Sequence, residues 1–147
     1  MRITNSVEIK APPEVVFGWL SQPERSMQWM TSVTGSEILS RTPGMVGTTF
    51  IETITEKGRS TQLSGVITGY EPNKRIAMHL DGDYNTVDVE YRLEQMGDIT
   101  RVIEDGNVEF KSFLKIIMFF AGPLFTKKAS AGLQQEFAKL KELCEKE

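Results

Sequence analysis

The chain has one cysteine, one histidine and no unbroken apolar run of membrane length, and each shortage removes a class of function. A lone Cys144 rules out an internal disulfide and fits a reducing compartment, so a cytoplasmic location is expected. Its place near the end of an amphipathic stretch suits packing better than chemistry. With His79 as the one imidazole, a nucleophilic triad has little to draw on. There is no H-E-x-x-H and no close cysteine pair, so no metal site is expected. Neither G-x-G-x-x-G nor G-x-x-x-x-G-K-[S/T] occurs, and no cofactor is implied. Asp81, Asp83 and Asn85 start like a calcium loop. Thr86 and Arg92 then stand where that loop needs glycine and glutamate, so the segment reads as a hairpin turn.

Charge of one sign is also scarce. Seventeen Lys and Arg against twenty Asp and Glu leave a net charge of −3. A mildly acidic chain has no broad attraction for phosphate backbones, which argues against a nucleic-acid partner. The longest apolar run, Phe113 to Phe125, is broken by Lys115 and by Gly122-Pro123. It falls short of the roughly 20 apolar residues that cross a bilayer, so stable membrane insertion is not expected. Met1 to Ser6 leads directly into a strand-like pattern, without the features of a signal peptide.

What is present is patterning. The 147 residues suit one domain with one sizeable core. Residues 2–10 place Ile3, Val7 and Ile9 on one side and polar groups on the other, as in a half-buried strand. Ala11-Pro12-Pro13-Glu14 ends that strand and opens a helix carrying Val15, Val16, Trp19 and Leu20. Ser21-Gln22-Pro23-Glu24 breaks it and starts a second short helix that ends near Trp29-Met30. Six strands then follow, near 34–41, 46–56, 60–70, 74–81, 84–95 and 98–110. Turn-forming groups such as Glu56-Lys57-Gly58 and Met96-Gly97-Asp98 divide them, which predicts an antiparallel meander. Residues 112–146 form a long helix with Leu133, Phe137, Leu140 and Cys144 on one face.

The Asp81-Gly82-Asp83-Tyr84 turn predicts pairing of Met78 with Val87 and of Ile76 with Val89. One face then collects Ile76, Met78, Leu80, Val87, Val89, Tyr91 and Leu93, and the other His79, Thr86, Asp88, Glu90 and Arg92. Of two registers across the next turn, the one with Thr100, Val102, Glu104, Gly106, Val108 and Phe110 inside buries fewer charges. It puts Glu104 on the inner face beside Tyr91. An inward carboxylate needs a hydrogen-bond partner or a raised pKa. It is either a rim position reaching water or a polar anchor within a pocket.

This order of elements, with Ile9-Lys10-Ala11-Pro12-Pro13-Glu14-Val15-Val16-Phe17, Trp29, Gly47-Thr48-Thr49-Phe50, Gly65 to Ile76 and Thr100-Arg101-Val102, resembles the START/birch-pollen-allergen superfamily. Within it, the chain is similar to the polyketide cyclase/dehydrase-like (SRPBCC) branch. The resemblance covers residues 1–147 as a single domain. It implies an α+β helix-grip fold: a seven-stranded curved antiparallel sheet wrapped around a long C-terminal helix, with two short helices after the first strand. It also implies a pocket between sheet and helix for lipid-, polyketide- or isoprenoid-like molecules. No shared catalytic motif comes with it, and the family's functions are mixed.

Three readings follow. In the first, the chain binds a small hydrophobic ligand. The lining would be Trp29, Phe50, Ile67, Met78 and Tyr91 from the first two-thirds of the chain. Val102, Phe110, Phe113, Ile117 and Phe120 would complete it, with Glu104 orienting a polar end. In the second, it is a cyclase- or dehydratase-type enzyme with Glu104 as acid/base and Tyr91 as proton donor or orienter. In the third, it is a protein-interaction module of the chaperone-activator kind, with a homodimer as a variant. Lysines flanking the 113–125 run also suit a membrane-surface role, and equally suit solvation.

Overall fold

A computed structural model describes residues 1–112 and 114–147, the side chain of Phe125 excepted. The expectations for Phe113 and for the Phe125 side chain therefore lie outside the described residues. Strand β1 (Arg2–Ile9) is followed by α1 (Pro13–Ser21) and α2 (Pro23–Ser26). Then come β2 (Val33–Ser40), β3 (Thr49–Glu56), β4 (Arg59–Glu71), β5 (Arg75–Asp81), β6 (Asn85–Met96) and β7 (Ile99–Phe110). Helix α3 (Leu114–Glu145) ends the order. The strands form one antiparallel sheet in the order β1-β7-β6-β5-β4-β3-β2. The helix-grip architecture read from the sequence is the one observed.

Local chemistry explains the turns. Lys57 and Gly58 both take positive φ, 51° and 76°, between the paired residues Glu56 and Arg59. That is the backbone a two-residue hairpin prefers. The turn after β5 differs. Gly82 is not left-handed; its N–H donates to the Asn85 carbonyl at 2.9 Å, and Asp83-Tyr84 make the bend. Leu63 packs where a Gly82 Cβ would stand, which holds Gly82 in line with its strand. The register consequently differs from the expected one: Met78 pairs with Val89 and Ile76 with Tyr91. A slip of two keeps every side chain on its face. Tyr91 pairs with Glu104, as expected, and Leu93 with Val102. His79 lies on the outer face, its Nδ1 2.7 Å from Asp88 Oδ1.

The core sits on the inner face. Trp29 meets Tyr91 edge-on at 6.2 Å and Phe137 at 6.0 Å, a trio joining the turn after α2 to β6 and α3. Phe137, Leu140 and Cys144 are buried, as their spacing predicts. Full burial of each large apolar side chain contributes about 1.5–3 kcal/mol. The corner between α1 and α2 is closed by side chains. Ser26 Oγ donates to the Trp19 and Leu20 carbonyls, and Trp29 Nε1 donates to the Trp19 carbonyl at 2.9 Å. These satisfy carbonyls that the helix end leaves free.

The two halves of α3 differ. Its C-terminal half is tied down: Glu145 accepts the Lys10 N–H at 3.0 Å, Lys141 donates to the Glu8 carbonyl at 2.8 Å, and Glu136 accepts the Thr31 N–H at 2.8 Å. Just beyond the helix, Glu147 accepts Trp19 Nε1 at 2.6 Å. Its N-terminal half carries Ile116, Ile117, Phe119, Phe120 and Leu124 to the surface.

Candidate ligand cavity

Between the α1–α2 corner and the inner faces of β2–β5 lies a cavity of about 470 Å³. That volume suits a small organic molecule. Three element types build its wall. Leu20, Met27 and Met30 come from the helical corner, Ile38 and Phe50 from β2 and β3, and Ile67, Ile76 and Met78 from β4 and β5. Met45 closes one end from the loop before β3, where Gly44 and Met45 both take positive φ of 73°. Four methionines give a wall that adapts to irregular shapes. Gly65 supplies part of the depth. A Cβ there would fall inside the Phe50 ring, so the ring lies flat over the opposite strand.

The polar group that matters most is Glu52. Strand alternation puts it inward, two residues after Phe50 and across from Leu63 and Ser36. Burial raises its pKa, with no cation offsetting the effect. Arg41 also lines the cavity, but its guanidinium contacts Met45 Sδ at 3.6 Å. A half-buried carboxylate with no partner among the described residues, set among methionine and aliphatic side chains, favours a guest that brings a hydrogen-bond donor or a positive charge.

A second polar group lies deeper. Glu104 is 4 % exposed. Burial raises its pKa, and the hydrogen bond from the Tyr91 hydroxyl partly restores the charged form. Tyr91 in turn is pushed well up, first by burial and then by the Glu104 charge. Asn5, opposite Glu104 in the β1–β7 register, has its Nδ2 buried without a protein partner among the described residues. Glu136 of α3 faces the same region. Burial raises its pKa to about 7, against the pull of the Thr31 N–H, and the Glu104 charge adds to the rise.

The structure thus divides the sequence-derived site. Phe50, Ile67 and Met78 come together on the cavity wall. Trp29, Tyr91, Val102 and Glu104 are buried in the adjoining core and do not line it. Phe110 ends β7, half-buried. Ile117 and Phe120 are exposed, and among the described residues no part of α3 reaches the cavity. The reason is which elements cover the sheet. Helix α3 packs on β1, with lighter contact to β7 and α1, so the α1–α2 corner covers the other half. This cavity therefore lies under the α1–α2 corner, away from the expected place between sheet and C-terminal helix. Sequence reasoning missed Glu52, Glu136, Met27, Met30 and Ile38. Parity along β3 marks Glu52. Spacing marks Glu136, three after Leu133 and four before Leu140.

Comparison with known proteins agrees with this architecture. No curated protein matches the sequence. Among solved structures, the protein TTHA0849 from Thermus thermophilus superposes with a TM-score of 0.81 at 17% identity, covering 98% of this chain and 97% of that one. A START superfamily protein from Mycobacterium smegmatis gives 0.80 at 22% identity, covering 99% and 97%. The Zhui aromatase/cyclase from Streptomyces sp. R1128 gives 0.81 at 11% identity, covering 99% and 93%. At these identities the likeness shows the fold. The family model described as polyketide cyclase / dehydrase and lipid transport matches residues 1–145. The chain belongs to that family.

Proposed function

We propose that this chain binds a small, largely apolar molecule in the cavity under the α1–α2 corner, and that Glu52 receives a hydroxyl, amine or amide N–H of that molecule. The observation that carries the reading is the wall itself: about 470 Å³ in which four methionines, aliphatic side chains and Phe50 meet a polar rim that includes Gln22, Glu24, Glu37 and Arg41, with the half-buried Glu52 carboxylate unpaired among the described residues. Lipid-, polyketide- and isoprenoid-like molecules with a donor group meet these demands. The family description, which joins polyketide chemistry with lipid transport, supports the same class. Binding is favoured over acid–base chemistry at Glu104. That carboxylate is already held by Tyr91, and neither group lines the cavity.

The test is titration with N-phenyl-1-naphthylamine, a neutral apolar fluorophore with one N–H donor. The protein should bind it at a single site. Met78→Trp, which fills the chamber from β5, should weaken binding by about tenfold or more, and Glu52→Gln by less. Binding that Met78→Trp leaves unchanged, or no binding at all, would remove the cavity as a ligand site. Mass spectrometry of an organic extract of the purified protein would then identify the natural guest.

A further inference from the structure

The N-terminal half of α3 turns a broad apolar face to solvent. Phe119 is 81% exposed, Phe120 79%, Leu124 74% and Ile116 66%. The two phenyl rings sit edge to face at 5.3 Å and form one wedge. Helical spacing places Ile116, Phe120, Leu124 and Lys127 along one stripe, with Ile117 and Lys128 beside it and Lys115 on the Phe119 flank. A soluble domain seldom leaves such residues adjacent and uncovered without a partner for them.

The charges say what that partner is. From Lys111 to Lys128 the chain has four lysines and no acidic residue, whereas the remainder has thirteen cations against twenty acids. Lys111 is committed to Asp81 at 2.7 Å. Among the described residues, Lys115, Lys127 and Lys128 form no ion pair. A second copy of the chain is a poor occupant. In either helix orientation this face would set lysines against lysines, with no carboxylate in the segment to separate them. No helix among the described residues is long and apolar enough to cross a membrane, so the segment would lie along a bilayer rather than span it.

We infer that the N-terminal half of α3 docks on anionic lipid surfaces, with Ile116, Phe119, Phe120 and Leu124 entering the interface and Lys115, Lys127 and Lys128 meeting lipid headgroup anions. This is the pattern of an interfacial amphipathic helix, apolar wedge and basic margin combined. It rests on the helix surface alone and stands apart from what the cavity holds.

Co-sedimentation of the full chain with vesicles tests it. The chain should pellet with phosphatidylcholine–phosphatidylglycerol vesicles, much less with phosphatidylcholine alone, and the difference should shrink as salt rises. Phe119→Glu with Phe120→Glu should abolish pelleting. Lys115→Gln, Lys127→Gln and Lys128→Gln together should weaken it on the order of a hundredfold, at about 1 kcal/mol per lysine near the surface. Gel filtration of each variant serves as control, since exposed positions leave the fold intact. The inference is overturned if neither vesicle pellets the chain, or if the lysine variant binds as before. It is also overturned if gel filtration shows a dimer that the phenylalanine substitutions dissolve.

Discussion

Glu136 is the residue whose ionisation weighs on stability. Its carboxyl has an ordinary value of 4.5 when unfolded and about 7 when folded, raised chiefly by burial. Between those values the folded state holds a proton that the unfolded state has lost. The contribution of Glu136 to stability is therefore fullest below about pH 4.5 and is lost as pH rises through about 7. Glu52 and Glu104 are raised as well and slope the same way. Glu136→Gln keeps an oxygen to accept the Thr31 N–H and removes the charge. Urea unfolding from about pH 5 to about pH 8 should show a shallower loss for the variant, which becomes the more stable protein at the alkaline end. Identical slopes would mean that Glu136 is solvated in the folded state. At this scale the sequence was legible wherever strand parity applied: Glu104 beside Tyr91 follows from counting residues. Glu136 was harder to read, because a helical glutamate next to Phe137 looks solvated until the chain around Thr31 arrives to meet it.

Elements were read well where periodicity was strong and less well where the outcome depended on what covered them. Seven strands and the long helix follow from alternation and turn chemistry. The β5–β6 register does not, because the bend falls at Asp83-Tyr84 and Gly82, packed against Leu63 of β4, stays in line with β5. The same logic applies to α3. Its apolar stripe from Phe113 onward reads as pocket lining, yet packing on β1 turns the described part of that stripe outward. Between β3 and β4 the Phe50–Gly65 pair is a contact that tolerates no added atom. Gly65→Ala should destabilise the fold by about 1–3 kcal/mol through overpacking. Phe50→Leu in the same chain should restore part of that loss, because the two sites share one space. Thermal unfolding of the two single variants and the double would give the coupling, and strict additivity would sink the account.

For the whole molecule, fold and pocket were legible to different degrees. The order of elements specifies the helix-grip shape. The cavity's position depends on which helix covers which half of a curved sheet, a property of the assembled layers rather than of any segment. A bound guest adds stability by mass action. At a hundredfold excess over its dissociation constant it contributes about 2.7 kcal/mol, which for this chain length raises Tm by roughly 5–10 °C. The neutral fluorophore should produce that rise in the native chain and not in Met78→Trp. Equal shifts in both would place the binding elsewhere.

The edge strand β2 pairs with β3 alone, and its ladder is interrupted between Val33 and Gly35 and again between Ile38 and Ser40. Ile38 of that strand is also part of the chamber wall. Peeling β2 away breaks a single row of hydrogen bonds, fewer than the release of any interior strand would cost. The cavity is therefore bordered on that side by a strand that one row of hydrogen bonds holds in place, so the firmness of that wall depends on a single ladder.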